Sequence, residues 1–202
     1  MSIHEEVYLK LQSIVGPEWV SNDPAICEAD RYCSLSGGGD EKRRPAISIL
    51  PASTEEVQAI VKVVNQYKIP FLATSTHLTP YVFCEKDDSI FIDLKRMNDM
   101  QIDFENMYAV VGSGVTYAAL QAELFKKGLL TFMTGSGGQC SVLANNINMG
   151  DAPLGWRLGL GYQRLLGMEW VLPDGQLLKT GSFAMNGDDF FWGEGPGPDL
   201  RG

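Results

Sequence analysis

Histidine is nearly absent from this chain, His4 and His77 being the only two. A catalytic zinc site usually draws on two or three histidines, and a Ser-His-Asp triad on one well-supported imidazole. Both chemistries are therefore disfavoured, and no metal site is expected. The four cysteines, Cys27, Cys33, Cys84 and Cys140, form no C-x-x-C pair. That excludes a zinc knuckle or thioredoxin-type motif and leaves buried free thiols as the reading. Basic residues are also scarce, 16 Lys and Arg against 25 Asp and Glu, for a formal charge of -9. Such a surface opposes a phosphate backbone, so neither nucleic acid nor an anionic membrane is an expected partner. No apolar run approaches the roughly 20 residues needed to span a bilayer. The opening MSIHEEVYLK lacks a basic region followed by an apolar one. A soluble, cytoplasmic chain without a membrane span is the expectation.

The usual nucleotide motifs are missing as well. Gly112-x-Gly114 is followed by Tyr117 where a third glycine should stand, Gly135-x-Gly137 by Cys140, and Gly159-x-Gly161 by Arg164. All three fail the G-x-G-x-x-G pattern, and no G-x-x-x-x-G-K-[ST] loop occurs.

What is present is an ordinary globular composition, 45% apolar and 20% charged, enough to build one sizeable core or two small lobes. Ile3, Val7, Leu11, Ile14 and Val15 recur at helical spacing before Gly16 and Pro17, which predicts an amphipathic leading helix carrying a solvated His4. Residues 21–44 read as an irregular lead-in around the Gly37 to Gly39 run. The chain then becomes regular. A strand at 46–50 precedes Ser53-Thr-Glu-Glu56, a capping box that opens a helix with Val57, Ile60, Val61 and Val64 on one face. Strands at 70–73 and 90–94 complete a parallel βαβ unit.

Beyond Arg96, strands at 100–103 and 108–111 flank the turn-like Phe104 to Met107. A helix over 117–127 follows, with Ala118, Leu120, Leu124 and Phe125 as candidate core positions. Residues 148–161 read as irregular. A hairpin closes the readable part, 166–172 and 176–179 around Pro173-Asp-Gly175.

Two loops have the chemistry to hold an anion without Lys or Arg: the hydroxyl-rich Thr74 to Thr79, and Thr134 to Asn146. Successive backbone N–H groups and Ser or Thr hydroxyls make an anion-binding concavity. Taken singly, each is also compatible with an ordinary surface turn.

The text from Arg44 onward resembles the flavoprotein family of vanillyl-alcohol oxidase and p-cresol methylhydroxylase. The resemblance is carried by Pro51-Ala-Ser-Thr-Glu-Glu-Val57, Ile69-Pro70, Ile92-Asp-Leu-Lys-Arg-Met-Asn98 and Gly114-Val115. Ser141-Val-Leu-Ala-Asn145 with Gly150 and Gly155, and Gly167-Met-Glu-Trp-Val-Leu-Pro-Asp-Gly175, extend it. It implies an α+β fold: a two-lobed FAD-binding domain of the PCMH type, with a small parallel βαβ lobe, a mixed or antiparallel lobe, and FAD extended between them. Residues 1–43 would be an N-terminal helix and lead-in, 44–98 the first lobe, and 99–202 a second lobe truncated at its C-terminus. The first loop, Thr74, Ser75, Thr76, His77, Leu78 and Thr79, would wrap the pyrophosphate. Thr134, Gly135, Ser136, Gly138, Ser141, Val142, Asn145 and Gly150 would line the flavin and ribityl side.

By the same resemblance the chain is the FAD-binding portion of an oxidoreductase acting on an alcohol, hydroxy acid or phenolic small-molecule substrate. Proton-abstracting residues would come mainly from a further domain, so no catalytic residue is named. The alternatives are a non-catalytic FAD-binding subunit needing a second polypeptide, and a module that has lost flavin. Self-association through uncompleted strand edges is a further expectation. The first loop has no glycine, and His77 stands where the family's loop places one. Its ring has three readings: a covalent link to flavin, as in the berberine-bridge-type branch; a ring that points away or donates to an anion; or a solvated loop residue. Non-covalent FAD is the expectation.

Overall fold

The computed structural model describes residues 3–30, 44–77, 88–131, 133–134, 137–148, 150, 153 and 155–184. Leu78, Thr79, Gly135, Ser136, Cys33, Cys84, the glycine run at 37–39, the tail from 192 and the side chain of His4 lie outside the described residues. The chain divides into two compact units, Met1–Met97 with Pro173–Gly175, and Asn98–Leu172 with Gln176–Gly202. Both combine helix and strand, so the fold is mixed α+β.

In the first unit helix α1 (Ile3–Val15) buries Val7, Leu11 and Val15, one per turn. Gly16, at φ 90°, ends it with a turn that a side chain would strain. The stretch after it is more ordered than its polar text predicts: strand β1 (Val20–Ser21) pairs antiparallel with β2 (Ile47–Ile49), and helix α2 (Pro24–Ala29) follows. The missed signals are local. Asp23 caps α2, its Oδ1 accepting from Ala25 N at 2.7 Å, with Pro24 at the first helical position.

Strands β3 (Phe71–Thr74) and β4 (Ile90–Asp93) complete a sheet of order β1-β2-β4-β3, in which β2, β4 and β3 run parallel. β4 is central and all four of its residues are buried, as expected of a strand covered on both faces. Helix α3 (Thr54–Tyr67) makes the crossover and packs Ile60, Val61 and Val64 inward. Ile60 and Val64 join Val7, Leu11, Ile47, Ile49, Ile90 and Ile92 in one core. Its capping box is formed: Ser53 Oγ accepts from Glu56 N at 3.3 Å, and Glu56 Oε2 accepts from Ala52 N at 2.7 Å. Lys68, at φ 54°, terminates the helix before Ile69-Pro70. The turn Pro173–Gly175 counts with this unit, and Gln58 Nε2 donates to Gly175 O at 2.8 Å.

The second unit holds two antiparallel hairpins, β5 (Met100–Asp103) with β6 (Tyr108–Val111), and β7 (Gly167–Val171) with β8 (Leu177–Gly181). Asp103 Oδ1 accepts from the amides of Glu105 and Asn106 and so builds the first turn. Helix α4 (Tyr117–Phe125) is rotated from the expected face. Tyr117, Leu120 and Gln121 are buried and Leu124 half-buried, whereas Ala118 and Phe125 are exposed. The polar Gln121 is inside because both ends of its amide are used: Nε2 donates to Leu129 O, and Oε1 accepts from Thr131 N. Two short helices, α5 (Val142–Ile147) and α6 (Gly155–Leu158), occupy stretches expected to be loop. Among the described residues no helix is long and apolar enough to cross a membrane.

The Ser53 cap sits at the start of the crossover helix that carries much of the first core. Ser53→Ala should lower stability by about 1 kcal/mol, read as a lower urea midpoint with an unchanged slope.

Candidate functional site

In an open parallel sheet, ligands gather beyond the carboxyl ends of the strands. In the first unit that edge is formed by Thr74, the last residue of β3, paired in register with Asp93, the last of β4. The chain turns immediately after Thr74 through Ser75, Thr76 and His77, all half-buried. His77 adopts φ 56°, in the left-handed region. Non-glycine residues seldom occupy that region, although His does so more often than most.

The ring of His77 lies edge-on to Phe91, with centroids 4.9 Å apart and planes at 83°. Its Nε2 stands 3.4 Å from Asp93 Oδ2, within ion-pair reach but not aligned as a hydrogen bond. The side chain of His77 is thus partly buried, 26% exposed. Among the described residues, Thr74 Oγ1 and His77 Nε2 are the buried side-chain polar atoms without a hydrogen-bond partner. Buried polar atoms normally find one, so this turn has unspent capacity for a ligand or water.

Asp93 is 1% exposed. Burial pushes its carboxyl up, but the His77 ring and Lys95 outweigh that, and the group is held below its ordinary value. Lys95 contributes twice, with Nζ 2.7 Å from Oδ2 and its backbone N–H donating to Oδ1 at 3.0 Å. Sequence reading passed over Asp93 and Phe91. The signal was the lone acid closing the apolar run Ile90-Phe-Ile, because a charge in such a strand needs compensation.

The residues expected to form the second loop lie in the second unit, and most have structural partners there. Ser141 caps α5, accepting from Ala144 N, and donates through Oγ to Ser113 O at 2.6 Å. Val142 N donates to Val115 O, and Gly138 O accepts from Ala118 N at 2.7 Å. Asn145 Nδ2 donates to the Tyr117 hydroxyl at 3.2 Å. Burial pushes that phenol up, against the pull of Asn145 and Asn146. Thr134 is buried, and its carbonyl accepts from Gly137 N. At Gly150, φ 65°, a Cβ would overlap the backbone of Gly161, so the glycine allows two chain segments to meet. A cleft of about 500 Å³ in this unit is lined by Tyr117, Leu120, Leu124, Val142, Asn146 and Arg164 among others. Of the expected site residues, Val142 reaches it.

Cys27 and Cys140 are buried free thiols, and burial pushes both up, which keeps them protonated and poor nucleophiles. Among the described residues no cluster of three or more His, Cys, Asp or Glu could hold a metal.

Because the folded carboxyl of Asp93 lies below its unfolded value, its contribution is complete above that value and is lost as pH falls through the folded one. Asp93→Asn should cost about 2 kcal/mol at neutral pH, the scale of hydrogen bonds to a charged group. The gap from wild type should narrow below about pH 4, as checked by denaturant melts across pH 3 to 7. A gap that is flat or widens toward acid would contradict the assignment.

The model of the family described as FAD binding domain matches residues 45–181. The 4-cresol dehydrogenase [hydroxylating] flavoprotein subunit of Pseudomonas putida is 30% identical over 166 residues, covering 75% of this chain and 31% of that protein. Glycolate oxidase subunit GlcD of Bacillus subtilis (strain 168) is 28% identical over 183 residues, covering 89% and 38%. The structure of 4-ethylphenol oxidase from Gulosibacter chungangensis superposes with a TM-score of 0.82 at 26% identity, over 98% of this chain and 39% of that one. The chain thus spans about a third of the length of the curated relatives it matches. With the family model, the fold and these likenesses together, the chain belongs to the FAD binding domain family, of the p-cresol methylhydroxylase and vanillyl-alcohol oxidase type.

Proposed function

We propose that the chain binds FAD non-covalently, as the cofactor-holding part of a flavin oxidoreductase that oxidises an alcohol, hydroxy acid or phenol. The observation that carries this reading is the turn from Thr74 to His77. It lies at the carboxyl end of a parallel strand, and Thr74 Oγ1, buried there, has no hydrogen-bond partner. Thr74 Oγ1 and the amides and hydroxyls of Ser75 and Thr76 suit a pyrophosphate, which backbone and hydroxyl donors hold without a cation. In the second unit, the roles proposed for Gly138, Ser141, Val142, Asn145 and Gly150 are carried by backbone and shape, since the hydroxyl of Ser141 and the amide of Asn145 already serve the fold. Bound FAD would supply the redox chemistry by accepting a hydride; the protein supplies position and electrostatics. Turnover is proposed to need groups that the relatives carry outside the matched third. A cytoplasmic location is proposed with it.

Titration with FAD tests this. Saturable quenching of flavin fluorescence is expected, with the flavin lost on prolonged dialysis and left in the supernatant after acid precipitation. Absence of saturable quenching would overturn FAD binding by this chain, and a fluorescent pellet would overturn the non-covalent form.

We also propose that the chain self-associates or takes a second polypeptide through its second unit. Met107, Phe125, Leu130 and Trp156 are large apolar side chains exposed there, Trp156 at 84%. Among the described residues each hairpin pairs only within itself, and unpaired edges with apolar surface favour association. Light scattering over a concentration series should show a rising mass; a monomer at high concentration would sink the idea.

A further inference from the structure

We propose that His77 is a positioning residue: its ring, clamped between Phe91 and Asp93, holds the turn after β3 in the left-handed conformation that an anion-binding loop normally obtains from glycine. The ligand rests on the FAD reading above; the clamp rests on geometry alone.

A side chain at positive φ costs roughly five- to thirtyfold in population, so something must hold this one in place. Two contacts with β4 do so. Phe91 and Asp93 sit on β4, the central strand whose four residues are all buried, and which therefore has little freedom to move. The His77 ring meets Phe91 edge-on at 4.9 Å, a favoured aromatic arrangement. Its Nε2 comes 3.4 Å from the Asp93 carboxylate. The side chain is 26% exposed, and its Nε2 is buried. Lys95 is the other charged group facing Asp93 among the described residues, and it pairs from the chain that follows β4. His77 and Lys95 thus flank one buried carboxylate, and the Lys95 ammonium offsets its charge, beside a turn proposed to receive an anion.

A ring used this way is neither a ligand nor an attachment point, and glycine should replace it where alanine cannot. Glycine reaches positive φ without a clamp, whereas alanine loses the clamp and keeps the steric penalty. The test compares the full chain with His77→Gly and His77→Ala, by thermal unfolding without cofactor and by fluorescence titration with FAD. His77→Ala should bind FAD about tenfold more weakly, the size of the population lost at positive φ, and should melt below His77→Gly. His77→Gly should recover most of the lost affinity. If glycine binds as weakly as alanine, the ring itself is required and the clamp is overturned. If alanine binds as wild type does, the side chain is idle and the proposal also falls. Should wild type bind no FAD, the cofactor reading fails by itself, and the melts still decide the clamp: alanine below glycine supports it, and equal or reversed order overturns it.

Discussion

A buried carboxylate needs compensation, and in the first unit Asp93 imposes that demand at the end of the most buried strand. Ile90, Phe91 and Ile92 make β4 an apolar spine, and Asp93 interrupts it where the sheet ends. Removing a charge from water costs several kcal/mol unless partners surround it. Lys95 closes back through its amide and ammonium, and His77 approaches from the turn after β3. One buried carboxylate therefore meets two loop segments, and both lie at the edge where a parallel sheet presents ligands.

The second unit is governed by close approach. Gly138 lets its backbone run beside the start of α4, where a Cβ would come within 2.9 Å of Ala118 Cβ, and its carbonyl accepts from Ala118 N. Ser141 binds Ser113 O and caps α5 with one hydroxyl. Gly150 lies against Gly161, with Gly161 N donating to Gly150 O at 3.0 Å. In this region glycine and small polar residues serve the packing of chain on chain. A glycine-rich text read as cofactor cradle is thus equally a requirement of the fold, and any ligand would meet it mainly through backbone and shape.

Membership of a cofactor-binding family and the details of binding are separate matters here. The fold and the order of motifs follow the family across 45–181, whereas the first loop departs from it by lacking glycine. At that loop His77 takes a positive φ, and its ring lies in contact with Phe91 of β4.

Sequence alone determined the elements whose signals are local. Apolar spacing and a capping box located α3, alternating strand and helix gave the parallel βαβ unit, and Pro173-Asp-Gly175 gave the last turn, because periodicity and turn chemistry act over a few residues. The ordered quoted motifs likewise sufficed to identify the family. Tertiary structure decided what depends on distant partners. Val20 became a strand only by pairing with Ile49, and the face of α4 turned to bury Gln121 because Leu129 and Thr131 satisfy its amide. Ser141 to Asn145 became a capped helix seated on Ser113 and Val115. His77 and Asp93 stand 16 residues apart in the chain and meet only because β3 and β4 pair in parallel register. Burial and partnership are properties of the assembled chain, and no local pattern encodes them.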